Sequence, residues 1–163
     1  MIKKLSTLLG VNIKNLSIYR EAFTHKSYLN ENPGKTCNER LEFLGDAVLE
    51  LVITEFLYFE YPEKPEGELT SYRSALVRGK HLAEISEKLK LGEFLKLSRG
   101  EDKSGGREKS YILANTLEAV IGAVFLDTGF AAAEKFINEN ITPQLTDLVK
   151  KGLHRDAKSK LQE

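Results

Sequence analysis

Glu39, Glu42 and Asp46 fall at i, i+3 and i+7, so a helix carrying them sets all three on one stripe. Farther along, Asn115 and Glu118 stand three residues apart and share a face in the same way. Stacking like charges on a helix costs about 0.2–0.5 kcal/mol per pair in water, and more when the stripe is partly buried. Something positive must offset that cost. Carboxylates and an amide carbonyl, with no His or Cys among them, are a donor set for Mg²⁺ or Mn²⁺. Mg²⁺ is commonly held by a few carboxylates together with substrate phosphates, which points to phosphoryl chemistry. The cation would offset the repulsion and supply a nucleophilic water. The alternative for the same residues is ordinary ion pairing of Glu42 and Glu118 with Arg73 or Arg78.

The segments that must position these groups are strongly apolar. Residues 38–61 read NERLEFLGDAVLELVITEFLYFEY, apolar nearly all round, which predicts a largely buried helix capped by Asn38 and ended by Pro62 and Pro65. Gly45 within it costs about 1 kcal/mol against alanine, so another backbone is expected to pass close by. Residues 110–126, SYILANTLEAVIGAVFL, predict a second buried helix whose small residues Ala114, Ala119, Gly122 and Ala123 permit close packing. Asp127-Thr128-Gly129 closes it. Further helices are expected at 17–23, 67–77, 80–89, 130–140 and 142–150, the last with Pro143 in its first turn. Residues 30–38 and 98–109 read as polar loops. No stretch alternates apolar and polar residues between turn signals, so the fold class is all-α.

The chain has 163 residues, enough for one domain with a real core. Its single cysteine, Cys37, excludes a disulfide framework and a cysteine-rich zinc site. The three histidines make no Glu-x-x-His pair, which excludes a ferritin-like di-iron site. His25 reads as a packing or backbone-bonding histidine. Lys103-Ser104-Gly105-Gly106 lacks the order of a P-loop, and no Gly-x-Ser-x-Gly elbow occurs. No apolar run approaches the ~18–20 residues of a membrane span, and MIKKLSTLLG does not read as a signal peptide, so a reducing, cytoplasmic setting without membrane contact is expected. Basic and acidic residues balance at 24 each. Locally they do not: 38–66 carries a net −6 and 68–110 a net +3, which fits either a metal site beside a phosphate-binding surface or solvated helix faces.

NERLEFLGDAVLEL resembles the signature segment of the ribonuclease III family, the double-stranded-RNA endonucleases. FTHKSY at 23–28, PEGELTSYRSALV at 65–77, LGEFLKLSRGEDKSGG at 91–106 and SYILANTLEAVIGAVFLDTGF at 110–130 resemble the family's other blocks, in order. The resemblance covers roughly residues 5–150. It implies a nuclease domain over 1–152, followed at 153–163 by a linker and the truncated start of a double-stranded-RNA-binding domain. It also implies a homodimer in which each subunit cuts one strand of an RNA duplex during RNA processing. The ends would be 5′-phosphates and 3′-hydroxyls with two-nucleotide 3′ overhangs. Glu42, Asp46 and Glu118 match the family's metal-binding acids, and Asp46 and Glu118 its catalytic ones. Glu39 matches an acid near the dimer contact, Glu66 an acid near the cleft, and Phe43 an aromatic that packs on the partner subunit. Asn115 departs from the family, which usually has Asp there. It would be a metal ligand with a carbonyl oxygen but one less negative charge. Weakened metal affinity and lost cleavage both follow from that departure as alternatives.

Lys26, Arg73, Arg78, Lys103, Arg107 and Lys109 are candidates for holding phosphates. Duplex RNA is read by shape, phosphates and 2′-hydroxyls, so little sequence specificity is expected. Two other functions remain open on sequence. One is a duplex-RNA-binding domain that has lost cleavage. The other is an all-α nucleoside-triphosphate pyrophosphohydrolase, also built on Glu-x-x-Glu helices with Mg²⁺.

Overall fold

The two apolar segments become the two longest helices and cross at the centre of the molecule. A computed structural model describes residues 2–146. In chain order its α-helices are α1 (Ile2–Leu9), α2 (Leu16–Ala22), α3 (Glu39–Glu60), α4 (Glu66–Leu76), α5 (Gly79–Lys88), α6 (Arg99–Lys103), α7 (Ser110–Thr128) and α8 (Phe130–Asn140), with short 3-10 turns between some of them. Among the described residues the only extended pairing is an isolated parallel bridge between Thr24 and Lys96. The all-α class follows.

α7 is the axis, flanked by α2, α3, α5 and α8. Its Leu113, Leu117, Val120, Ile121 and Val124 are buried together with Leu49, Ile53 and Leu57 of α3, Leu82 and Ile85 of α5, and Phe136 and Ile137 of α8. Each such side chain contributes about 1.5–3 kcal/mol by leaving water. By length and composition α7 is apolar enough to cross a membrane, contrary to the expectation from its sequence. It is the buried centre of the bundle instead.

Gly45 and Gly122 explain how the crossing gets so close. A Cβ at Gly45 would lie 1.8 Å from the carbonyl oxygen of Glu118 and 2.9 Å from the nitrogen of Gly122. A Cβ at Gly122 would lie 2.3 Å from the carbonyl oxygen of Leu41. The backbones of α3 and α7 are therefore in direct contact, as Gly45 predicted. At its far end α7 continues through Asp127 to Thr128, two residues beyond the expected 126, and stops at Gly129, whose φ of +89° suits glycine. Asp127 belongs to the helix and ties it to the entry of α2. Its carboxylate accepts from the backbone nitrogens of Lys14 at 2.9 Å and Asn15 at 2.8 Å, and from the Tyr19 hydroxyl at 3.2 Å.

Three expectations need correction. Asn38 precedes α3 and is buried, but its side chain makes no capping bond; its backbone bonds Thr24 and Glu42 instead. Residues 98–109 are not a loop. They hold α6, capped by Ser98, and a 3-10 turn at Gly106–Glu108. The first residues form α1, whose Leu5 and Leu9 enter the core. Pro143 does sit in the first turn of a 3-10 segment, Thr142–Gln144. The expected continuation of that helix to 150, and the boundary at 152/153, lie outside the described residues.

Candidate active site

The crossing places Glu118 of α7 beside Glu42 and Asp46 of α3. Glu118 is half-buried, and its carboxyl is pushed up to about 7, first by burial and then by the charges of Asp46 and Glu42. Glu42 is also half-buried and raised, mainly by desolvation. The Asn115 amide, donating toward its carboxyl, and the ammonium of Lys26 act the other way, while Glu39 and Asp46 add to the rise. Asp46 is exposed at the rim. Across the crossing Glu118 feels the charges of Asp46 and Glu42, and Asn115 bonds Glu42.

Among the described residues Lys26 is the cation whose charge is felt at Glu42, and it is paired with Glu39. Among the described residues Glu42, Asp46 and Glu118 make no ion pair. Arg73 donates to the Thr54 hydroxyl at 3.1 Å, and Arg78 is exposed at the start of α5. The ion-pair alternative for Glu42 and Glu118 therefore falls. The side chains are also not drawn into a tight cage: among the described residues no three His, Cys, Asp or Glu groups are gathered as a finished metal site. Like-charged carboxylates without a counterion are expected to stand apart. Their donor chemistry, and the burial and like charge that raise Glu118, fit an Mg²⁺- or Mn²⁺-type cation.

Glu39 opens α3 in solvent and pairs with Lys26, Nζ to Oε1 3.4 Å. Cys37 lies beside it, its thiol 3.7 Å from Oε2. Glu66 is not brought to the acidic group. It opens α4, accepts a 2.8 Å bond from Thr70, and lines a groove of about 200 Å³ with Thr54, Tyr58, Leu69 and Arg73. Phe43 is 81% exposed and by helical spacing neighbours Glu39 and Asp46 on the surface of α3. With Leu41, Leu44 and Leu126 it borders an apolar hollow of about 600 Å³.

The basic candidates divide. Lys26, Arg73, Arg78 and Lys103 reach the surface or lie near it. Arg107 does not stand free for phosphates: its guanidinium bonds Asp102 at 2.7 and 3.2 Å and the carbonyls of Gly92 and Leu95 at 2.9 and 2.8 Å. Lys109 is likewise committed, 2.6 Å from Glu101 and 3.0 Å from the Ser104 hydroxyl. Both hold the 92–109 segment together. Two basic residues escaped the sequence reading. Lys96 lies over the Tyr28 ring at 5.9 Å, and Arg99 is almost wholly exposed, 3.9 Å from Glu31. Their only sequence signal was a place in the basic segment 68–110. Burial lowers the pKa of His25, and its Nδ1 accepts from the Ser27 backbone, a structural use.

The comparisons agree with this geometry. A family model described as ribonuclease-III-like matches residues 15–145. Ribonuclease 3 of Streptomyces coelicolor is 48% identical over 155 residues, covering 95% of this chain, and the chain spans 56% of that protein's length. The crystal structure of the nuclease domain of ribonuclease III from Campylobacter jejuni superposes with a TM-score of 0.80 at 41% identity, covering 88% of this chain and 95% of that one. A second structure of that domain, described for flexibility in a region involved in dimer formation, gives 0.79 at 42% identity, covering 86% and 98%. With the fold, the signature helix and the ordered blocks all matched, this chain belongs to the ribonuclease III family.

Proposed function

We propose that the chain is the nuclease domain of a divalent-metal-dependent endonuclease that hydrolyses double-stranded RNA, leaving 5′-phosphate and 3′-hydroxyl ends with two-nucleotide 3′ overhangs. The observation that supports this most is the acidic group at the α3–α7 crossing, with Glu42 and Glu118 half-buried and no ion pair to it among the described residues, in a chain of this family. Glu42, Asp46, Asn115 and Glu118 would hold Mg²⁺, or Mn²⁺ in its place. The cation, when bound, supplies charge neutralisation and an activated water for in-line attack on a phosphodiester.

The chain's own residues do the rest. The backbone contact between α3 and α7 holds the main chains that carry Glu42 and Glu118 side by side. Asp46, at the rim, is the acid an incoming phosphodiester meets first. Lys26 beside Glu42, and Arg73, Arg78 and Lys103 elsewhere on the surface, would supply the positive charge that holds RNA phosphates. Glu66 lines the groove beside Thr70 and Arg73. The hollow beside Phe43 suits an isologous contact with a second copy, so a homodimer would carry two such centres, one per RNA strand.

The test is incubation with a duplex RNA at low salt with Mg²⁺ or Mn²⁺. Short duplexes with two-nucleotide overhangs support the nuclease. Binding without cutting, rescued by Asn115→Asp, supports a domain disabled at that position. Nucleotide hydrolysis with RNA left intact would end both RNA readings.

A further inference from the structure

Two large side chains of the otherwise buried α7 stand in solvent, Tyr111 and Leu126. Leu126 borders the apolar hollow beside Phe43. Tyr111 sits at the other end, in the first turn of the helix, and is 55% exposed. It precedes Asn115 by four residues and Glu118 by seven, so the three share one stripe. That stripe is turned toward α3, because the Asn115 amide bonds Glu42 and Glu118 feels the charges of Asp46 and Glu42. Along the helix axis Tyr111 lies about 6 Å from Asn115 and about 10 Å from Glu118. Among the described residues its hydroxyl takes no hydrogen bond. The cation beside it is Lys109, whose pKa is raised first by its bond to Glu101 and also by the Tyr111 phenol. Lys109 is itself held by Glu101 and Ser104. The phenol therefore stands at the edge of the acidic group with its donor and its acceptor both unused.

A duplex RNA offers such a group few partners. The faces of paired bases are stacked and closed to a ring, which leaves phosphates, base edges and the 2′-hydroxyls displayed across the wide, shallow groove. Phosphate is the poorer match, because the phenol is neutral and the carboxylates one and two turns along the stripe repel any phosphate but the one that meets the cation. A 2′-hydroxyl is neutral, and like the phenol it both donates and accepts. We infer that Tyr111 hydrogen-bonds the 2′-hydroxyl of one nucleotide beside the cut, and so separates ribose from deoxyribose at that position. The inference rests on the endonuclease reading above. Tyr111 is a specificity residue in it: the acids farther along α7 act on the phosphodiester, and Tyr111 reads a neighbouring sugar.

The test pairs Tyr111→Phe, which removes only the hydroxyl, with duplexes carrying a single 2′-deoxynucleotide at each position around the cut. Cleavage is measured as kcat/KM with Mg²⁺ at low salt, and binding by anisotropy with Ca²⁺ in its place, the duplex verified to remain intact. Wild type is expected to lose between about twofold and tenfold at one deoxy position, the span of a single neutral hydrogen bond. Tyr111→Phe should lose the same factor on the all-ribose duplex, be indifferent to deoxyribose at that one position, and keep the wild-type response at every other. Light scattering should show the same oligomeric state for both proteins. A Tyr111→Phe variant that handles the all-ribose duplex like wild type, or that keeps the wild-type response at every deoxy position, would overturn the role of Tyr111 and leave the nuclease standing. Dissociation of the variant into smaller species would overturn it too, by making Tyr111 a subunit contact. If wild type binds the duplexes without cutting them, the same comparison is read from binding alone. If it neither cuts nor binds them, the endonuclease reading falls and the role of Tyr111 with it.

Discussion

Glu118 is where burial and like charge meet most strongly in this molecule. Its pKa of about 7 means the folded chain holds this proton more tightly than the unfolded chain does. The stability it contributes is complete below the ordinary value of 4.5 and is lost as pH rises through about 7. Metal-free protein is therefore expected to melt lower at pH 8 than at pH 5 on account of this group. Glu118→Gln should melt higher than wild type at pH 8 in EDTA, with the gap shrinking towards pH 5; a gap independent of pH would contradict the assignment. The same carboxyl is expected to be indispensable to chemistry. Glu118→Ala should reduce duplex cleavage by at least about a thousandfold, a loss of some 4 kcal/mol in transition-state stabilisation, while gel filtration and circular dichroism stay unchanged. Cleavage at wild-type rate would refute the ligand set. These acids were readable from spacing alone, because carboxylates interrupting an apolar helix carry a cost that needs a reason. Arg107 and Lys109 were not. Their partners at Gly92, Leu95 and Glu101 lie 8 to 15 residues away, and no local pattern announces them.

At the scale of elements, the α3–α7 crossing governs the site. Gly45→Ala gains about 1 kcal/mol of helix propensity but drives a methyl into the Glu118 carbonyl, where only backbone can yield. A net loss of at least about 2 kcal/mol is expected, read as a fall in denaturation midpoint, because overpacking a close contact outweighs propensity. Gly67→Ala is the contrast. It lies in the first turn of α4 with nothing within 4 Å of a Cβ, and should stabilise by about 0.5–1 kcal/mol. If both glycines responded alike, close approach would not be the reason for Gly45. Long periodic helices and this contact were legible in the sequence. The short pieces were not: α6 has five residues and the 3-10 turn after it three, too few for any period to show. The capping role given to Asn38 failed for a different reason. Its residue type suits a cap, but its backbone stays helical and its side chain is buried.

For the whole molecule, the balance of charge and the exposed apolar face decide its associations. Net charge is zero, so attraction to RNA must come from a few placed bases rather than from the overall field. Lys103→Ala is expected to flatten the slope of log affinity against log salt by about one per engaged subunit, measured by anisotropy with labelled duplex. An unchanged slope would remove Lys103 from the interface. Phe43→Asp is expected to convert a dimer to monomer by light scattering without lowering the melting temperature of the isolated fold, since that side chain packs on little of its own chain. The crossing at Gly45 has one more consequence. What separates the two central helices there is the main chain of Glu118, not its carboxylate. The spacer and the reactive group belong to one residue but to different parts of it. A side chain of similar size can replace the acid while that backbone contact still sets the distance between the helices, so the scaffold can keep its shape while its chemistry is exchanged, weakened or retired one position at a time.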